Sequence, residues 1–390
     1  AHHAFRTSRN FPPPLACLPI LLSLFTMGLN RFTLSLLLLL RVACGSGALL
    51  GSSSRSAAIF GARGGVADEQ HDRRSSRHGV GRAAYHAAAL RGGGARPSKK
   101  QAALLSKPMT IKGMLTATRP GSWTAGVIPV LLTGALVHKA EGVSVAKGGL
   151  SNALMMVITL QASGNLVNSY IDHNYGVDTI ETAGDRTIVD AHVSPKGALV
   201  LAGVMFFAAV AAVLPTISRM RASGQARELE ATFWVGVAMV FSYTCWPFRL
   251  KYRGLGDITV FLLFGPMLMQ VAAMLICGSV QHWVLPFGVP AALLCEAILH
   301  ANNMRDIEQD RSAGISTLAT AIGFRSSQVL YFSLLGIAYV VAGCLAATGN
   351  RGFALSFLTL PLAISALKDC KPEAVRNLDE KTAKVIPVSF

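Results

Sequence analysis

The sequence predicts an all-α polytopic membrane protein, and three observations carry that expectation. Of 390 residues, 52% are hydrophobic and only 14% are charged, and mean hydropathy is +0.45. Soluble domains carry about a quarter charged residues, so this balance belongs to a chain that spends much of its length in lipid. From residue 108 onward, apolar runs close to the roughly 20 residues that cross a bilayer alternate with short polar loops. Each such run must be helical, because hydrocarbon offers its backbone groups no other partners.

The first element in chain order is an extension, residues 1–107, set apart from a membrane domain at 108–390. The extension holds fifteen Lys and Arg against Asp68, Glu69 and Asp72, a net +12 that leaves only +4 of the total +16 for everything after it. The basic charge therefore describes this segment rather than a folded basic face, and nucleic-acid binding is not expected. Met27, the first methionine, is a candidate natural start. From it "MGLNRFTLSLLLLLRVACGSGA" has the charged, Leu-rich and small-residue regions of a signal peptide. Residues 49–107, rich in Ser, Arg, Gly and Ala and nearly free of acids, are like a transit peptide. Together they suggest a bipartite address for a plastid membrane reached through the endoplasmic reticulum. Endoplasmic reticulum, Golgi or mitochondrial membranes, or a merely disordered tail, stay open as alternatives.

Eight helices follow, near 122–138, 148–171, 197–217, 231–247, 258–278, 281–301, 328–348 and 352–367. With this count the loops at 172–196, 248–257 and 302–327 emerge on one side, and a mild excess of Lys and Arg makes it the cytoplasmic-equivalent side. The seven cysteines show no CxxC spacing, which excludes zinc-ribbon and disulfide-framework readings. They read as small buried apolar residues.

Those three loops hold the chemistry. "NLVNSYIDHNYGVD" (165–178) puts Asn168, Asp172 and Asp178 where a membrane helix ends, and acids at such depth usually face a cavity and serve a function. "NNMRDIEQDRSAG" repeats the Asn-x-x-x-Asp spacing at Asn302 and Asp306, 134 residues later, with Asp310 a further turn on. Spacing of four stacks such residues on one helix face. Four helices separate the copies, so the halves are expected as parallel four-helix repeats that bring both motifs to one face. Facing carboxylate clusters suit a hard divalent cation such as Mg²⁺, completed by water and a diphosphate. Lys251, Arg305 and Arg311 are placed to meet the remaining phosphate oxygens. Asp257 in "LGDIT" reads as a helix-start acid or a functional one. His300 reads as a hydrogen-bonded core histidine before a catalytic base. Asp185, Arg186 and Asp190 form either a salt-bridged loop or part of the site.

The motifs "NLVNSYIDHNYGVD", "YRGLGDITVFLLFGP" and "NNMRDIEQDRSAGISTLAT" closely resemble the UbiA superfamily of intramembrane prenyltransferases, over about residues 115–385. "AGDRTIVD" and "ATRPGSWTAGVIPVLLTGAL" are similar to its MenA-type branch, which prenylates 1,4-dihydroxy-2-naphthoate or naphthoquinone rings on the way to menaquinone or phylloquinone. The resemblance implies a UbiA-like bundle of eight to nine helices and a Mg²⁺-dependent ionisation of a prenyl diphosphate, geranylgeranyl, phytyl or longer. Attack by an aromatic acceptor follows. It further implies that Asn168, Asp172, Asp178, Asp306 and Asp310 hold metal, and that Asp172 and Asp306 are essential to catalysis. Asn168, Asn302, Lys251, Arg305 and Arg186 would bind the diphosphate, and Tyr243 would turn its ring to the allylic cation. The six residues from Asp172 to Asp178 favour the naphthoate branch, whereas UbiA enzymes usually have nine helices and only "VIPVSF" follows Lys384. Competing readings are a prenyltransferase for 4-hydroxybenzoate or homogentisate, a cation-coupled transporter, and a non-catalytic lipid-binding protein. The gathering of every motif on one face argues for an enzyme.

Overall fold

The computed structural model describes residues 110–143, 149–174, 187–190 and 192–386. The extension at 1–107, its targeting patterns, and Asp178, Asp185 and Arg186 lie outside the described residues. What is described is helical, as the sequence predicts, with a single isolated bridge between Arg253 and Ser316 in place of any strand.

A short helix, α1 (Ile111–Ala117), opens the domain, capped by Thr110, whose side chain accepts from the Gly113 N–H. It leads through a turn at Pro120–Ser122 into α2 (Thr124–Glu141), and the two stretches meet at 62°. α3 (Gly149–Asn174) and α4 (Pro195–Ala222) follow. Ser194 caps α4, Pro195 occupies its first position, and Arg219 and Arg221 sit in its last turn against the helix dipole. α5 (Ala226–Ser242) begins five residues before the expected start and ends five before the expected finish. Helical bonds from Tyr243 N–H to the Met239 carbonyl and from Cys245 N–H to the Phe241 carbonyl carry its last turn on before Pro247, which offers no N–H.

α6 (Gly256–Cys277) crosses as one span interrupted by a π turn at Leu263–Met267. Pro266 supplies no donor there, and Gly265 sits at φ −111, ψ −105. A Cβ on Gly265 would stand 2.4 Å from the Ala292 Cβ, so the glycine lets α6 press against α7 (Val289–Arg305). A 3₁₀ stretch, His282–Gly288, precedes α7. After α8 (Ile307–Ala313), α9 (Leu318–Ala347) begins ten residues earlier than expected, because Thr317 and Thr320 form a reciprocal capping box upstream of the apolar run. A 3₁₀ stretch, Arg351–Thr359, leads into α10 (Leu360–Lys368). α11 (Leu378–Ala383) packs its Leu378 and Thr382 inward, with Val385 and Ile386 fully buried after it.

Among the described residues, six helical stretches are long and apolar enough to cross a membrane, and the bent α1–α2 pair makes a seventh. α5, the other expected helix, is 17 residues long and spends its first turns on Arg227, Glu228 and Glu230. Outward faces are apolar too: Phe207 is 70% exposed and Leu358 69%. A bundle apolar both inside and outside has lipid as its solvent. One core joins α2 to α6 around Met156, Val213 and Phe233, and a second joins α7, α9, α10 and α11 around Leu294, Tyr331 and Leu378.

Candidate active site

Asn168 and Asp172 stand one turn apart on the last turns of α3. Asp172 is 5% exposed, and a bare carboxylate so placed would be expensive. Two groups from one short segment compensate it. The Lys251 ammonium donates to its Oδ2 at 2.8 Å, and the Tyr252 hydroxyl donates to its Oδ1. Both come from the 3₁₀ turn Leu250–Tyr252, which follows a left-handed Arg249 (φ 50). The turn is pinned by Lys251 N–H to the Tyr243 carbonyl (2.8 Å) and by Ser316 N–H to the Tyr252 carbonyl (3.3 Å). Asn168 accepts from the Thr244 hydroxyl at 2.6 Å. The end of α3 is thus tied to the loop after α5, which is tied in turn to the loop after α8.

The second motif is built differently. The helix breaks at Asp306 (φ −96, ψ 9), so Asn302 ends α7 while Asp310 lies on α8. Hydrogen bonds from Asp306 N–H to the Asn302 carbonyl and from Asp310 N–H to the Asp306 carbonyl nevertheless continue the helical spacing across the break. The Arg305 guanidinium grips Asp306 with two parallel bonds, Nε to Oδ1 at 2.7 Å and Nη2 to Oδ2 at 2.8 Å. Its remaining arm donates to Asp379 on α11 at 3.1 Å. The Asn302 amide donates to the Ile298 carbonyl of its own helix.

Burial first, then the charge of Asp306, pushes the Asp310 carboxyl up to about 7; Asp172 adds to the rise, while Lys251 and a bond to Thr317 oppose it. Asp310 therefore feels groups from both copies, and the loop after it meets the Lys251–Tyr252 turn through Ser316, which brings the two motifs to one face. Their donors are carboxylate oxygens crowded beyond what the nearby cations balance, which is the donor set that a hard divalent ion such as Mg²⁺ takes.

Tyr243 caps α5, beside Gly256 and within electrostatic reach of Lys251, Asp257, Glu296 and Asp172. Asp257 lies in the first turn of α6 but caps nothing; its carboxylate faces His300 on α7, so the helix-start reading is replaced by a buried pair. Arg311 pairs with Glu308 in an exposed surface contact.

Four residues that matter to this geometry escape the sequence reading. Tyr252 carried a signal, since it adjoins Lys251 in "KYRGLGD". Thr244 and Asp379 carried none. Arg119 (φ 56) reaches the Ser169 hydroxyl at 3.2 Å, next to Asn168, and its only cue in the sequence is its place before Pro120 in "ATRPGSW". Beneath the polar face an apolar cavity of about 80 Å³ opens between α3, α5 and α6, lined by Leu160, Val240, Phe264 and Met267 among others.

A membrane-crossing helical bundle with carboxylates, Lys, Arg and Tyr gathered on one face over an apolar interior defines a polytopic membrane protein with a polar, carboxylate-rich site. The profile of the UbiA prenyltransferase family matches residues 127–376, and the chain belongs to that family, whose members transfer prenyl groups. It is 36% identical over 272 residues to UbiA prenyltransferase domain-containing protein 1 of Homo sapiens, covering 69% of this chain and 78% of that one. The Mus musculus protein of the same name is also 36% identical over 272 residues, covering 69% and 79%. Among solved structures, the apo form of a UbiA homolog from Aeropyrum pernix K1 superposes with a TM-score of 0.53 at 17% identity, covering 68% of this chain and 94% of that one. That likeness is one of fold.

Proposed function

We propose that this enzyme transfers a prenyl group from a prenyl diphosphate, geranylgeranyl, phytyl or longer, to 1,4-dihydroxy-2-naphthoate or a naphthoquinone in the synthesis of vitamin K quinones. The observation that carries the reading is the convergence of Asp172, held by Lys251 and Tyr252, with Asp310 and Asp306 from the other half of the chain. Asp172, Asp306 and Asp310, with Asn168 and with Asp178 from outside the described residues, are the ligands for Mg²⁺. When bound, the ion supplies positive charge to the diphosphate as its C1–O bond breaks.

The residues of the chain do the remaining work. Lys251 and Arg305 hold the leaving diphosphate, which keeps the bonding electrons, and Arg186 and Asn302 extend that grip. Arg305 takes the diphosphate by releasing Asp306, while its bond to Asp379 stays in place. Tyr243 turns the face of its ring to the allylic cation at C1. A ring carbon of the acceptor forms the new C–C bond, and the ring then loses a proton, or CO₂ where a carboxylate stood. Apolar residues between α3, α5 and α6 receive the tail. The composition of residues 27–107 supports a plastid membrane as the destination, which a fluorescent fusion of that segment tests.

The activity test supplies membranes containing the full chain with Mg²⁺, radiolabelled geranylgeranyl diphosphate and a panel of dihydroxynaphthoate, menadione, 4-hydroxybenzoate and homogentisate. A prenylated naphthoquinone that disappears with EDTA is the expected result. Transfer only to another ring would overturn the acceptor, and release of diphosphate with no ring product would overturn the aromatic assignment.

A further inference from the structure

One buried cluster plays no part in that chemistry. Asp257 from the start of α6 meets Glu296 and His300 from α7, which are four residues apart and so share a helix face. One donor atom from each lies within 4.8 Å of the others, and the three residues are 7%, 4% and 0% exposed. His300 Nε2 faces the Ser327 carbonyl at 3.2 Å, an oxygen that can only accept, so Nε2 carries the proton. Neutral His300 then aims the lone pair of Nδ1 at Asp257 Oδ1, 3.0 Å away, with acceptor against acceptor. Neither oxygen of Glu296 receives an N–H or hydroxyl donor; its side-chain neighbour is the Asp257 carboxylate, which it can meet only through a shared proton or a shared cation. Asp257 Oδ2 draws only a long 3.4 Å bond from the Asn303 amide.

Without an ion the cluster needs two protons to be neutral, one on His300 for the Nδ1–Oδ1 pair and one between Glu296 and Asp257, two carboxyl groups held face to face away from water. A divalent cation satisfies all three residues at once and brings the sum of charges to zero. The geometry points to a structural metal site formed by Asp257, Glu296 and His300, separate from the diphosphate face and independent of the prenyl-transfer reading. One imidazole nitrogen with two carboxylates suits Zn²⁺ before Mg²⁺. Two donors about 2.1 Å from one ion stand about 3.0–3.4 Å apart, close to the separation of Nδ1 and Oδ1. The bond from Nε2 to a backbone carbonyl is the outer contact that metal-bound histidines normally make. The ion would clamp α6 to α7 immediately beneath Lys251 and Asn302, and so hold the two halves of the active face in register.

Elemental analysis of the full chain in detergent, purified without a metal column, tests this. About one Zn²⁺ per chain is expected, retained when the Asp172→Asn and Asp306→Asn variants are analysed and lost in Glu296→Gln and His300→Ala. Wild-type protein stripped with chelator and given Co²⁺ alone should develop visible absorption from nitrogen and oxygen ligation, a readout that needs no variant to fold. Wild-type protein holding no transition metal and taking up neither Zn²⁺ nor Co²⁺ would overturn the proposal, as would a monodisperse Glu296→Gln that keeps its full ion content. Loss of the ion in Asp172→Asn or Asp306→Asn with retention in Glu296→Gln would overturn it equally, by assigning the ion to the diphosphate face.

Discussion

The two copies of Asn-x-x-x-Asp share a spacing and differ in almost everything else. Asp172 is buried and is neutralised from a distance in sequence, by Lys251 and Tyr252 some eighty residues on. Asp306 has a side chain 31% exposed and is neutralised by its immediate neighbour, Arg305, which Asp379 shares. The first copy sits on an unbroken helix and the second at a break between two. The difference teaches that repeat symmetry sets where carboxylates go, while the way each is compensated is settled locally. A buried acid needs a rigid, dry cation and hydroxyl, whereas a half-exposed one is served by a flexible fork that can move to a substrate.

The largest test of this contrast is at Asp172. Asp172→Asn should lower turnover by at least about 10³-fold, because it removes a buried charge that acts on the reacting head group. Folding, read by size-exclusion and circular dichroism, should survive, since the isosteric amide can still accept from Lys251 through its oxygen and donate to the Tyr252 oxygen through its NH₂. Activity within tenfold of wild type would show that the first copy is structural. Next in size is Lys251→Met, expected to cost about 10²–10³-fold in turnover. Tyr252→Phe removes one hydroxyl bond to a carboxylate, worth about 1.5–3 kcal/mol, and should cost roughly ten- to hundredfold in kcat/KM. If Tyr252→Phe is silent while Lys251→Met is severe, the hydroxyl only fills space.

A smaller effect is expected in the pH dependence of the second copy. Asp310 has an ordinary value of 3.8 and a folded value of about 7, raised by burial and by Asp306. Between these values the folded chain holds more protons than the unfolded one, so stability should fall as pH rises from about 4 to about 7. Thermal unfolding in Mg²⁺-free detergent should show that decline, and Asp310→Asn should flatten it. An unchanged slope in the variant would assign the titration elsewhere. The smallest change belongs to Asp379→Asn, which leaves the Arg305–Asp306 fork intact and should alter stability by about 0.2–1 kcal/mol. A loss of activity beyond tenfold there would mean that Asp379 sets the Arg305 position rather than merely sharing it.

Much of this was legible in the sequence. Apolar runs of bilayer length predicted an all-helical membrane bundle, and the 134-residue offset between the motifs predicted that their acids share a face. Hydropathy and spacing are local properties, and lipid leaves the backbone no alternative to a helix, so these features needed no tertiary knowledge. Helix ends were less legible: the Thr317 capping box moved the start of α9 by ten residues because caps are set by polar side chains that an apolar count ignores. Only the tertiary structure decided which cation answers which carboxylate. It brought Tyr252 to Asp172, Asp379 to Arg305, and Asp257 to His300, pairings across 80, 74 and 43 residues that no periodicity records. Such pairs form because burial removes water from charges that must then find one another, and which charges meet depends on how the helices cross.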